Sequence, residues 1–167
     1  MAWMPRSPRV AYAGLVWLPR LIDKARREAE GRSRGVDLTT PYMFGDNDYL
    51  DAKLLAFLKI RDRQVLQIVT EEPHDDVVAA LILAISRRSP DECRRWSERF
   101  LKVEALWLLL IDIDEDRVHG TAAEAGRWFY NKVLIPPVFG VFRWMERQRS
   151  EELPTRSSND RVPTKTP

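Results

Sequence analysis

An all-α fold, a compact bundle of about six helices followed by a disordered C-terminal tail, is what this sequence predicts, and three observations predict it. Apolar residues recur at spacings of three and four rather than two, the period of a helix face. Glycines number only seven among 167 residues while tryptophans number six, so flexible backbone positions are few and large core side chains plentiful. Two capping boxes, Ser89-Pro90-Asp91-Glu92 and Thr121-Ala122-Ala123-Glu124, mark helix starts, because the hydroxyl and the acid each satisfy a backbone N–H that the first turn leaves unpaired.

Taken in order, Pro19 fits the first turn of a helix running through Leu21, Ile22 and Ala25, with Gly31 and Gly35 as its stop. Residues 36–47, which hold Gly45 and lead into Asp46-Asn47-Asp48, read as a loop. Leu50, Leu54 and Leu58 make a stripe, and Asp62 caps a turn carrying Val65, Leu66 and Val69. Asp75-Asp76 precede Val77 to Ile85, a stretch apolar on every side and so expected to be the central, most buried helix. From the Ser89 box, Cys93, Trp96, Phe100, Val103, Trp107 and Leu110 step by three and four along one face of a long helix. Arg94, Arg95, Glu98, Arg99 and Lys102 fall largely on the other face. The Thr121 box opens a helix through Trp128 and Phe129 to about Leu134, Pro136-Pro137 ends it, and Val138, Val141, Phe142 and Met145 start another. Residues 1–149 form the expected domain. Residues 150–167, polar, rich in proline and free of aromatics, form the expected flexible tail.

Composition narrows the function classes. Net charge is +2, from 27 Lys+Arg against 25 Asp+Glu with the signs interleaved, so no nucleic-acid partner is expected. Cys93 is the single cysteine; it can form neither an intramolecular disulfide nor a multi-cysteine zinc site, which suits a reducing, cytoplasmic setting. The apolar stretch from Ala11 to Leu18 stops at Pro19-Arg20, too short for a signal sequence. Ala105 to Ile111 is about a third of the roughly 20 residues a membrane-spanning helix needs. No transmembrane segment is expected, and peripheral membrane contact stays open.

Two segments carry a family likeness. Pro5-Arg6-Ser7-Pro8-Arg9 followed by Trp17-Leu18-Pro19-Arg20-Leu21-Ile22-Asp23-Lys24-Ala25-Arg26 resembles the opening of a small bacterial helical family classified as a domain of unknown function. Ser89-Pro90-Asp91-Glu92 with Trp96 resembles that family's final helix, so the likeness spans roughly residues 5 to 103. It implies a fold and a bacterial origin and no reaction. Thr39-Thr40-Pro41-Tyr42-Met43-Phe44-Gly45-Asp46 departs from the Cys-Pro-Leu-Asp-like turn typical of the family, and the segment after about Lys102 reads as an addition.

Candidate functional residues fall in three places. Arg20, Asp23 and Lys24, at i, i+3 and i+4, cluster on one side of the first helix. A carboxylate between two cations is held ionised, so the set could relay a proton, with Asp23 as base and Arg20 or Lys24 holding an anion, or it could simply pin the helix entrance. The loop from Tyr42 to Tyr49 mixes aromatics with short acids; Trp17, Tyr42, Asp46 and Asp48 would line a substrate pocket, or the loop would anchor itself to the core. Trp128, Phe129, Phe142 and Trp144, ringed by Arg127, Lys132, Arg143, Arg147 and Arg149, would form an interaction surface or a helix pair that closes the core. His74 beside Asp75 and Asp76, and His119 after Asp112 to Asp116, match neither an EF-hand nor an H-E-x-x-H pattern, so structural turns are expected and no metal. Cys93 lies on the apolar stripe, as an inert core thiol would. No Gly-rich phosphate loop and no G-x-S-x-G elbow occurs, and no cofactor is expected. The sequence therefore supports a non-catalytic interaction domain of a bacterial cytoplasmic protein using the aromatic C-terminal helix pair. The alternative is a small cofactor-independent enzyme, a lyase, isomerase or cyclase, using Asp23, Arg20 and Lys24. The partner, an unknown protein or a small molecule, and the oligomeric state are left open.

Overall fold

The computed structural model describes residues 3–40, 42–117, 124 and 128. The chain falls into two compact units, Met1–Val118 and His119–Pro167, and every element below belongs to the first.

The chain enters through a hairpin that periodicity did not announce: β1 (Ala11–Tyr12) pairs antiparallel with β2 (Leu15–Val16). Ala13 and Gly14 between them both have positive φ, the two-residue turn whose twist matches that of paired strands. Six helices follow among the described residues: α1 (Leu18–Arg34), α2 (Tyr49–Leu58), α3 (Asp62–Glu71), α4 (Asp75–Ser86), α5 (Pro90–Val103) and α6 (Ala105–Asp114), with a short 3₁₀ turn at Gly45–Asn47 before α2. Glu124 and Trp128 are helical, while Phe129, Phe142, Trp144, the second capping box's serine-like Thr121 and the expected tail lie outside the described residues.

The central helix is α1, which packs against α3, α4 and β1. Leu18, Leu21, Ile22 and Ala25 are fully buried and belong to one core cluster with Leu54, Leu58, Val65, Val78 and Ile82. It runs through Gly31, where a Cβ would collide with the Val36 carbonyl, and stops at Gly35, whose left-handed φ of 66° lets the Val36 N–H reach back to the Gly31 carbonyl. The Ser89 capping box forms as expected: the Glu92 N–H donates to Ser89 Oγ at 3.2 Å and the Ser89 N–H donates to Glu92 at 2.9 Å.

Two expectations are corrected. The all-apolar α4 is not the central helix; it buries Val78, Ala79 and Ile82 but leaves Val77, Leu81 and Ile85 exposed. An apolar circumference calls for burial on all sides, but among the described residues the elements packed against α4 are α1, α2 and α3, and Val77, Leu81 and Ile85 stay outside that contact. The long helix after Ser89 is broken at Glu104, which leaves helical geometry at φ −94°, ψ 12°, with its carboxylate buried against Lys53. The apolar stripe is therefore split. Cys93 and Phe100 stay inside, whereas Val103, Leu106, Trp107 and Leu109 face outward.

Candidate functional site

Two neighbourhoods hold the chemistry of this unit, a buried polar centre at the start of α1 and an open apolar groove between α2 and α5.

The polar centre is organised around Trp17, which caps α1 with a left-handed backbone (φ 69°), a strained choice for a bulky residue that persists only where surrounding contacts fix it. Those contacts are present. Its indole N–H donates to Asp51 at 2.7 Å, its ring lies 5.8 Å from that of Phe100, and the cationic ends of Lys24 and Arg20 sit 5.4 Å and 5.2 Å from the ring centre. Asp51 is wholly buried; it also takes Lys24 at 2.7 Å and the Gly45 N–H at 3.0 Å. Gly45 has φ 83°, and a Cβ there would strike the Asp62 side chain, so glycine is what lets the 3₁₀ turn deliver its N–H to Asp51. Burial pushes the Asp51 carboxyl above its ordinary value, and the charge of Lys24 pulls it back. Asp48 caps α2 by accepting from the Leu50 and Asp51 N–H groups and takes Lys24 at 3.2 Å.

One turn earlier Arg20 is 3% exposed and makes a bidentate pair with buried Glu115 while donating to the Arg6 carbonyl at 2.9 Å. Its guanidinium also lies 5.5 Å from the Tyr42 ring, which meets Trp3 edge-on at 5.6 Å. Burial and the Glu115 charge together raise the Tyr42 phenol above its ordinary value. Arg117 closes this side, donating to Glu115 at 2.7 Å and to the Pro5 carbonyl at 2.6 Å.

The structure thus brings together Trp17, Lys24 and Asp48 around Asp51, and Arg20 with Tyr42 around Glu115. Asp23 stands apart from both: its two oxygens accept three bonds from Arg6, at 2.6, 2.7 and 2.9 Å, and Arg6 continues to Asp75, which Arg26 also holds. Asp46 is exposed in the 3₁₀ turn. His74 is exposed and serves as the backbone cap of α4. Cys93 is buried, and burial pushes its thiol up. Among the described residues no group of three or more His, Cys, Asp or Glu side chains is placed to hold a metal ion, and no helix is long and apolar enough to cross a membrane.

The groove was not anticipated. It has a volume of about 290 Å³ and is lined by Lys53 and Ala56 of α2, Trp96, Arg99, Phe100 and Val103 of α5, and Glu104. Trp96 forms its floor, stacked between Phe57 at 5.1 Å and Phe100 at 4.6 Å. Lys53 pairs with Glu104 and lies 4.3 Å from the ring centre of Tyr49, which in turn packs 6.4 Å from Trp107. The rim therefore continues over Tyr49 and Trp107, both more than half exposed. The sequence carries a signal for each neighbourhood. Asp51 is a carboxylate inside a leucine stripe, which demands a buried partner. Tyr49, Lys53 and Ala56 share the i, i+4, i+7 spacing that Trp96, Phe100 and Val103 show on α5.

Residues 3–117 match the model of a family described as a domain of unknown function (DUF5069). The match runs past Lys102, so α6, Glu115 and Arg117 belong to the family's domain rather than to an addition. No curated protein and no solved structure matches the chain.

Proposed function

We propose, of a chain that belongs to the DUF5069 family, that it is a non-catalytic interaction domain of the bacterial cytoplasm that receives an amphipathic helix with an acidic flank in the α2–α5 groove. The observation that carries this reading is the groove itself. Two helices present facing stripes at i, i+3/i+4 and i+7, with a stacked aromatic floor and cations on both banks. A helix-in-groove contact needs this spacing, since the occupant's own apolar anchors recur at the same period. Arg99 has no ion-pair partner among the described residues, and Arg95 and Lys102 flank it on the outer side of α5, so the flank that suits them is acidic. In this reading the aromatic segment of Trp128, Phe129, Phe142 and Trp144 is a second contact surface.

An acid–base enzyme built on Asp23, Arg20 and Lys24 finds less support. Each of those groups is already committed, to Arg6, to Glu115, and to Asp51 with Asp48. A substrate would have to break several charge-assisted bonds to recruit them.

The test is fluorescence anisotropy of a labelled helical peptide with a leucine stripe and a glutamate flank, titrated with the full chain. Saturable binding, weakened about tenfold or more by Arg99→Glu and absent for a peptide with a lysine flank, is the expected result. No saturation, or equal binding by Arg99→Glu, would remove the reading.

A further inference from the structure

The apolar surface of the groove does not stop at Val103. It continues onto α6, because Tyr49 packs on Trp107 and also lies under Lys53, which lines the groove beside Val103. Leu106, Trp107 and Leu109 face outward there. Asp114 stands seven residues after Trp107, two helical turns on, so it lies on the same side of α6, and it is exposed. At the other end Arg99 lines the groove, with exposed Arg95 one turn before it. Arg95, Arg99 and Asp114 have no ion-pair partner among the described residues. Other charges nearby are already met: Lys53 pairs with Glu104, Asp112 with Arg9 and Glu115 with Arg20. One continuous apolar surface thus carries unpaired cations at its α5 end and an unpaired carboxylate at its α6 end.

We infer that the helix received by the groove is α6 of a second copy of this chain, each copy's α6 lying antiparallel on the other's α5 about a two-fold axis near Leu106 and Trp107. This names the partner of the site proposed above and rests on that reading. Charge selects both the occupant and its direction. Arg99 and Asp114 lie at equal separations from that axis, about 11 Å along the helices, so the two-fold sets Arg99 of each copy beside Asp114 of the other. The carboxyl end of α6, negative by its backbone dipole, meets the same cations. A parallel pair would set Arg99 against Arg99 and Asp114 against Asp114. One helix seated on one groove in each direction is small against a standard interface of about 800 Å² per partner, so the dimer is weak and the monomer prevails in dilute solution.

Sedimentation equilibrium of the full chain across a wide concentration range tests this. Reversible dimerisation is expected. Arg99→Asp and Asp114→Arg, both at exposed positions, should each weaken it about tenfold or more at low salt and leave the melting temperature unchanged. An equimolar mixture of the two variants should associate as the wild type does, because the mixed pair regains both charge contacts. A chain monomeric throughout, a dimer indifferent to either variant, or a mixture no tighter than its components would each overturn the inference. The peptide titration separates this failure from failure of the reading beneath it: a monomeric chain that still binds the glutamate-flanked peptide loses the second copy as partner and keeps the groove as a site, whereas one that binds no peptide loses both.

Discussion

In the first turns of α1, Arg20 is 3% exposed and Lys24 1%, whereas in α6 Leu106 is 57% exposed and Trp107 52%. The usual assignment of charge to the surface and leucine to the core is inverted in both places. The inversion at α1 has a structural explanation. Each buried cation is met by a buried carboxylate, Lys24 by Asp51 and Arg20 by Glu115, and each carboxylate ties α1 to a distant part of the chain, the start of α2 or the end of α6. Buried pairs of this kind add little net stability compared with well-packed apolar residues, but they tolerate no mismatch, so they fix which segments meet. At α6 and α5 no contact among the described residues accounts for the exposure, and an outward helix face of leucine and tryptophan is the kind of surface that partners cover. On the proposed reading, the polar side of this unit holds the fold in register and its outward apolar sides are the ones that bind.

The contrast can be sharpened by removing one member of each kind. Asp51→Ala should have the largest effect, because it leaves the Trp17 and Gly45 N–H groups unpaired in the core and Lys24 with only the longer contact to Asp48; a loss of about 3–5 kcal/mol in urea unfolding is expected. Arg20→Lys keeps the charge but loses the bidentate grip on Glu115 and the flat contact with Trp17 and Tyr42, and should cost about 2 kcal/mol in the same measurement. Ser89→Ala, at an exposed cap, should cost only about 1 kcal/mol. The same cap gives a pH dependence of known sign. The Ser89 backbone N–H, then its hydroxyl and then Arg88 hold the Glu92 carboxyl below its ordinary value. A carboxylate lowered on folding contributes fully above its ordinary range and loses that contribution as pH falls through the folded value. Acid should therefore erase the difference between wild type and Glu92→Gln, which comparing their melting temperatures across pH would reveal.

How much was legible from sequence divides along the same line. The helices were, because caps such as Ser89-Pro90-Asp91-Glu92 and stripes such as Leu50, Leu54 and Leu58 are local and the structure needs nothing distant to complete them. Lys24 belongs by spacing to a set with Arg20 and Asp23, and Trp17 and Asp48 to a set with Tyr42 and Asp46; the structure draws Lys24, Trp17 and Asp48 together through Asp51, to which no spacing points. Arg20 and Asp23 share a helix side by spacing, yet their partners arrive from residues 115 and 6, and spacing along one helix carries no information about those. The groove was missed because the stripe from Cys93 to Leu110 suggested a single unbroken helix; no proline or glycine marks the break at Glu104. The expectation for α4 failed for a related reason. An apolar circumference says that burial is favourable, not that neighbours exist to supply it.

The central claim, that the apolar side of α5–α6 is outward and held for binding rather than for folding, is tested most directly by urea unfolding of the Leu106→Gln, Leu109→Gln double variant. Glutamine keeps helix propensity, so only the apolar face is altered. An unfolding free energy within about 1 kcal/mol of wild type is expected. A loss of about 4 kcal/mol or more, the cost of truncating two core leucines, would contradict it.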